Sequence, residues 1–406
     1  MPSSNNVESS RHRWVKPFFK NLKYCRARKS SIVHFSKTEL EIMNVNGQYF
    51  NYLNGYYYDY CPDDSLMVES MHGLFSWRTT NSYPCLCFAG SYILFCSSLL
   101  ARLSLIIKKD NNPDLVILYN KYPSLFNLSE LQRVDREVAI FTWLMKRFLK
   151  RVAPKVIFVN EACYGMEHGI ITYLARQMGI KTIELQHGLI SSEHEAYNAE
   201  QSLINNKEYQ SYLPDEIWTF GQYWASHINW KIKKRVVGNP YMIAARETFN
   251  NIIEEYSYLI VSQPIGIEIF KSFVSDLAET HPNDLILIRL HPHENCRNYD
   301  VLLSKYSNLR LSNETSLYYD FCRCGQIIGI FSTCLYEALA FGRIPIIIDC
   351  ELSRRFIEPE IGRWVKNAKE LDDTIESSND TVNLSYYWCQ DFHAIVKPLI
   401  KEFILR

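Results

Sequence analysis

Asp284-Leu-Ile-Leu-Ile-Arg-Leu-His-Pro-His-Glu294 is an apolar run that ends abruptly in polar residues. Asp284–Leu290 reads as a strand buried on both faces, and such strands belong to parallel sheets covered by helices. Polar residues just past the carboxyl end of a parallel strand are where α/β proteins place ligands. Arg289-Leu-His-Pro-His-Glu294 is therefore read as a site, with three chemistries to weigh. A thermolysin-type zinc site needs two histidines one helical turn apart with a glutamate between them, and His-Pro-His-Glu offers neither that spacing nor a helix. An acid/base pair is a second possibility. Arg289 and His291 are better suited to anionic oxygens, because both donate charge-assisted hydrogen bonds, and Pro292 fixes the turn that presents them.

The same rhythm of short apolar strand and longer helix runs through much of the chain. Before the quoted stretch, Tyr258–Ser262 reads as a strand, Gln263-Pro264-Ile265-Gly266 as a turn and Glu268–Ala278 as a helix. After it, strands are expected at 308–311, 326–330 and 344–349. Between the last two lies a helix opened by Ser332-Thr333 and stopped by Gly342. That helix start offers free N–H groups, two hydroxyls and a favourable dipole to a phosphate. Glu337, about one turn deeper, is placed to accept from the vicinal hydroxyls of a ribose. Gln263, Pro264 and Gly266 form a third wall.

The first half reads alike, with strands at 65–69, 113–120, 155–160, 181–185, 215–219 and 234–237 and a long helix over 130–150. Three polar clusters end its strands: Met71-His72, Asn160-Glu161, and Gln186-His187-Gly188 continued by Glu193, His194 and Glu195. His187, just past a buried strand, is the leading candidate for a general base, with Glu161 and Glu195 behind it as alternatives. The fold class is α/β, two doubly wound domains in tandem. The expected layout is a basic flexible arm (1–45), a first domain (46–245), a second domain (246–385) and a C-terminal helix across the boundary (386–406).

Composition restricts the function classes. The 406 residues are 47% apolar, enough for two cores, and 44 Lys+Arg against 44 Asp+Glu give no charge excess that would suggest nucleic acid. Nine of the basic residues fall within 1–38, with a single glutamate, which reads as a solvated arm or one touching anionic lipid or a neighbouring subunit. The twelve cysteines match no strong zinc spacing and read as free thiols in a reducing compartment. Cys85–Ile107 is long enough to cross a bilayer, but Arg102 and several serines favour a packed helix, with a membrane-facing helix as the intermediate case. No G-x-G-x-x-G, P-loop or Asp-x-Asp motif occurs.

Together, His291-Pro292 after a strand, Ser332-Thr333 opening a helix and Glu337 beyond it resemble the GT-B glycosyltransferases of bacterial capsule and lipopolysaccharide synthesis. Within these, the polysialyltransferases, Kdo transferases and CDP-glycerol glycerophosphotransferases are the most similar. The resemblance implies two Rossmann-like domains facing a cleft. It implies transfer of a sugar or polyol phosphate from a CMP- or CDP-type donor to a glycan hydroxyl, with no cofactor and no metal. It gives the donor phosphate to His291-Pro292 and Ser332-Thr333, and the base to a first-domain loop, with His187 the leading match. No acidic pair followed by glycine, as in polysialyltransferases, is present. The implied partners are a nucleotide-sugar donor and a glycan acceptor, lipid-linked at the cytoplasmic face of the bacterial inner membrane. Two alternatives are a UDP-N-acetylglucosamine 2-epimerase-like enzyme and a non-catalytic assembly partner.

Overall fold

The computed structural model describes residues 27–36, 42–45, 48–69, 86–87, 89–107, 112–314, 316–371 and 383–405. The strands in chain order are β1 (Ile32–Ser36), β2 (Ile42–Val45), β3 (Gln48–Asn51), β4 (Ser65–Glu69), β5 (Leu86–Cys87), β6 (Val156–Asn160), β7 (Lys181–Leu185), β8 (Glu216–Thr219) and β9 (Lys233–Val236). β10 (Tyr256–Val261), β11 (Ile286–Arg289), β12 (Leu309–Leu311), β13 (Cys324–Gly329), β14 (Ile346–Ile348) and β15 (Arg363–Val365) follow. One sheet has the order β5-β4-β1-β6-β7-β8-β9 and the other β12-β11-β10-β13-β14-β15, while β2 and β3 form an antiparallel ribbon. This is the two-domain α/β architecture of GT-B proteins.

Both large sheets reverse direction once. In the first, the chain moves outward from β1 through β4 to β5, then restarts on the other side at β6. In the second it moves from β10 through β11 to β12 and restarts at β13. The two helices that leave the strands at such a reversal go to opposite faces, and a crevice opens outside the strand ends. The reversals put Asn160-Glu161 at the crevice of the first sheet, and Gln263–Gly266 with Ser332-Thr333 at that of the second.

The chain divides into two compact units. One comprises Met1–Leu185, Asn205–Ile217 and Val396–Arg406, the other Gln186–Ile204 and Trp218–Ile395. In the first, Val33, Phe35, Ile157 and Val159 form a core with Phe141, Met145 and Leu149 of the helix Leu128–Val152. In the second, Ile260, Ile288 and Ile328 pack with Phe270, Val274 and Leu277 of the helix Ile267–Thr280. His187 and Glu195, expected in the first domain, thus belong to the second unit, because the chain leaves the first directly after β7.

Two expectations are corrected. Pro113–Asn120 is not a strand but the start of the helix Pro113–Lys121. Asn112 caps it by accepting the Asp114 N–H at 3.1 Å, and Pro113 and Asp114 stand in its first turn, signals that outweigh the apolar run. Residues 1–45 are not all arm: Ile32–Ser36 is wholly buried and pairs in parallel with both β4 and β6. The surrounding basic residues conceal a central strand of only five residues. His72 and residues 1–26 lie outside the described residues.

Candidate functional site

In the second unit β10 has β11 on one side and β13 on the other, with Val261 opposite Arg289 and Ile260 opposite Ile328, all in parallel. The turns after these three strands therefore share one sheet edge. After β10 the chain turns through Gln263–Gly266 into the helix Ile267–Thr280. Gly266 has φ +82°, and a Cβ there would stand 3.3 Å from both Ile330 and Leu352 side-chain carbons, so this turn requires glycine. The buried Gln263 Oε1 makes no hydrogen bond among the described residues, a position that normally has a partner.

After β11, the residues from His291 to Glu294 form a tight turn closed by the Glu294 N–H donating to the His291 carbonyl at 2.8 Å. The Glu294 carboxylate organises it. Oε2 accepts from the His291 N–H at 2.9 Å and from the Ser262 hydroxyl, and Oε1 accepts from the Tyr299 hydroxyl at 3.2 Å. The His293 N–H donates to His291 Nδ1 at 3.1 Å, which leaves the proton of the neutral ring on Nε2. Partial burial, followed by the neighbouring His293, pushes the His291 pKa down, with Glu294 opposing. His291 is thereby a neutral Nε2–H donor around pH 7. Pro292 is exposed at the turn.

Arg289 has internal partners that its sequence context does not reveal. Its Nη1 donates to the Glu314 carbonyl at 2.7 Å and to Asp320 Oδ2 at 2.9 Å. Asp320 is fully buried and is also held by Arg323 at 2.8 Å. Arg289 thus neutralises an interior carboxylate through Nη1.

After β13, Ser332 is the N-cap of the helix Thr333–Ala340, its oxygen accepting the Cys334 N–H at 3.2 Å. A hydroxyl that accepts at its oxygen keeps its own hydrogen for an anion. The Thr333 N–H and hydroxyl carry no hydrogen bond among the described residues. Glu337 is buried and accepts from the Tyr318 hydroxyl at 3.1 Å. Burial, against that hydrogen bond, pushes its carboxyl up to about 7.

The loop Gln186-His187-Gly188 approaches this helix start, as a Cβ on Gly188 would come 3.9 Å from Thr333 Oγ1. Buried Gln186 braces the loop, donating to the Gly188 carbonyl and accepting from the Phe220 N–H, both at 2.8 Å. His187 is half-buried and Glu195 exposed. The nearby His194 is pushed down by burial. In the first unit, Glu161 directly follows β6 and adopts a left-handed φ of +55°, a strained conformation that clusters at functional sites. Its neighbour Asn160 is fully buried, and its side-chain amide makes no hydrogen bond among the described residues.

The second unit thus gathers Gln263, Gly266, His291, Ser332 and Thr333 at one sheet edge and brings the His187 loop to the same helix start. Glu161 belongs to the first unit, and Glu195 has no described hydrogen-bonding partner. Sequence reasoning missed Glu294, although its place three residues after His291, the closing distance of a turn, was a usable signal. It also missed Asp320, and it gave no role to Gln186, which accepts from Phe220, 34 residues away. Among the described residues no group of three or more His, Cys, Asp or Glu side chains is placed to hold a metal ion.

Comparison with known proteins shows the fold alone. No family model matches the chain, and no curated protein matches it in sequence. Among solved structures it is similar to a putative UDP-N-acetylglucosamine 2-epimerase from Listeria monocytogenes, with TM-score 0.53 and 9% identity, covering 93% of this chain and 96% of that one. The UDP-GlcNAc 2-epimerase from Neisseria meningitidis, bound to UDP-GlcNAc, gives TM-score 0.51 and 14% identity, covering 92% and 99%. The wall teichoic acid polymerase TagF gives TM-score 0.48 and 12% identity, covering 97% and 94%. The chain therefore has the fold of GT-B nucleotide-sugar enzymes.

Proposed function

We propose that this protein is a glycosyltransferase of surface polysaccharide synthesis. It moves a sugar or polyol phosphate from a nucleotide donor, of CMP or CDP type, to a glycan hydroxyl. The observation that carries the reading is the set of turns on adjacent strand ends, two of which offer donors to an anion. These are His291 Nε2–H, the Ser332 hydroxyl and the Thr333 N–H at a helix N-terminus. Gln263 Oε1 offers an acceptor to a hydroxyl or amine of the nucleoside, and Glu337 is the candidate for the ribose.

Direct displacement follows from such a set. His187 takes the proton of the acceptor hydroxyl, with Glu161 and Glu195 as the alternative bases. The new bond to the acceptor oxygen forms as the bond to the nucleotide phosphate breaks. The charge that develops on the leaving phosphate meets His291, Ser332 and Thr333, fixed donors that need no rearrangement as the reaction proceeds. The cytidine preference rests on the motif resemblance. The acceptor in that setting is lipid-linked, which places the protein in the cytoplasm at the inner membrane.

One observation favours a second reading. The similar structures with TM-scores above 0.5 include UDP-GlcNAc 2-epimerases. Calorimetric titration with CMP, CDP, UDP and GDP in the absence of divalent metal, followed by assay of nucleotide release with and without a glycan acceptor, separates the two. Tightest binding of a cytidine nucleotide and acceptor-dependent release is the expected result. UDP preference with acceptor-independent release would transfer the site to the epimerase reading.

A further inference from the structure

The first unit carries a surface that the transfer chemistry does not use. The helix Ala89–Ile107 is long and apolar enough to cross a membrane by length and composition. Its first half, however, is buried at Tyr92 and Ile93, with Ser97 and Ala101 continuing the buried side. Its second half exposes Leu99, Leu103 and Ile106, a stripe at helical spacing, and Ile106 is 80% exposed. The helix packs beside the helix Leu128–Val152, the two forming a helical pair with its tip at the exposed ends. That second helix repeats the pattern in reverse order. Its apolar stripe is buried at Phe141, Met145 and Phe148 and reaches solvent at Val134 and Val138. The helix Pro113–Lys121 between them has no buried residue, and Ile117 and Leu125 are 63% and 71% exposed. A groove of about 320 Å³, lined by Leu94, Val134, Val138, Phe141 and Ile170, opens on the same surface.

Monomeric soluble domains rarely leave so continuous an apolar surface uncovered. Its surroundings indicate what covers it. Trp143 is exposed about 14 Å along the helix axis from Val134, and the Arg147 guanidinium lies 4.9 Å from its ring centroid. Exposed Lys146, Lys150 and Arg151 continue this end of the helix. Apolar tip, aromatic ring and basic collar, in that order along one axis, match the order of acyl chains, interface and anionic headgroups in a bilayer. The charges nearer the tip are partly matched internally, as Arg133 pairs with Glu137 at 2.8 Å.

We propose that the tip of this helical pair docks the protein onto anionic membrane, inserting from one side without spanning it. The surface belongs to the first unit alone, so its test needs neither donor nor acceptor and stands or falls separately from the transferase reading.

The experiment is flotation of the full chain with vesicles of phosphatidylcholine, alone or mixed with phosphatidylglycerol. The protein is expected to float with the mixed vesicles. The variant Ile106→Asp/Ile117→Asp/Leu125→Asp, all at exposed positions, is expected to lose at least about tenfold in binding with nucleotide affinity and thermal midpoint unchanged. Lys146→Glu/Arg147→Glu is expected to remove the preference for anionic vesicles. Failure of the parent to float, or equal flotation of the aspartate variant, overturns the proposal. So does a dimer that becomes a monomer in that variant while no form floats, which would assign the surface to a second copy.

Discussion

The two sheets reverse direction in the same way but finish their strand ends differently. In the second unit the strands run into turns of glycine, proline, serine and histidine that present backbone and ring N–H groups. In the first, the strand ends close over with buried polar side chains. His34, fully buried in β1, stacks on Phe158 with centroids 4.9 Å apart, and Asn54 and Asn160 are fully buried as well. Burial pushes the His34 imidazole down to about 3, with Asn54 pulling the other way. One topology thus supports a donor-rich edge and a polar interior held neutral. What a sheet edge does is set by the few residues after each strand rather than by the order of strands.

The largest test of this contrast concerns charge burial. Asp320→Ala would leave Arg289 and Arg323 without the carboxylate they share, and should cost about 3–5 kcal/mol of stability, read as a lower urea midpoint. A change below about 1 kcal/mol would mean that this pair is effectively solvated.

Next come two pH dependences of opposite sign. His34 has its pKa lowered on folding from 6.5 to about 3, so between these values the unfolded chain binds more protons. Stability from this group is complete above pH 6.5 and falls as pH drops toward 3. Glu337 is raised from 4.5 to about 7, so in that window the folded chain binds the extra proton. Its contribution is complete below pH 4.5 and is lost as pH rises through 7. Each window amounts to a few kcal/mol, on the order of 1.4 per pH unit. In urea titrations across pH, His34→Phe should flatten the acid side and Glu337→Gln the neutral side. If either variant flattened the other's window, the assignment of slopes would be reversed.

Third, His291→Ala should lower kcat about 100-fold, the typical effect of removing one transition-state donor, with smaller losses for Thr333→Ala. Ser332→Ala mixes loss of a donor with loss of the helix cap and is a poorer probe. Unchanged steady-state kinetics in His291→Ala would remove the second unit's edge from the chemistry.

The smallest effect expected is for Glu294→Gln. The amide keeps the size of the side chain but loses the charge that accepts from Ser262, His291 and Tyr299. The turn should loosen, raising the KM for the donor about tenfold while kcat changes less. Equal falls in kcat and kcat/KM would instead make Glu294 a group that acts only in the transition state.

How much of this was legible in the sequence divides along the same line. The donor-rich edge was readable because strand, turn and helix cap are consecutive in the chain, so Gln263, His291 and Ser332 announce themselves by local pattern. The pairing of Arg289 was not readable because its partner Asp320 stands 31 residues away, and charge alone does not say whether a guanidinium meets a ligand or a carboxylate. β1 escaped notice because its strand is short and its basic flank suggests solvent. The first unit's buried polar groups come from strands and loops that meet only in three dimensions. The grouping of the His187 loop with the second unit follows from a chain crossing for which no residue pattern exists.

That crossing has a consequence for synthesis. The first unit takes in residues from three separate stretches, the last of them Val396–Arg406. Phe403 and Ile400 are buried there, and Lys155 donates to the Ile404 carbonyl at 2.7 Å across a separation of 249 residues. A nascent chain that has delivered β1 through β7 to solution therefore still lacks the helix that completes their unit. The long stretch of the second unit, ending at Ile395, is made before the last stretch of the first. Folding strictly from the N-terminus forward thus leaves the first unit to be completed last, and a cut between the two sheets separates Val396–Arg406 from the strands of its own unit.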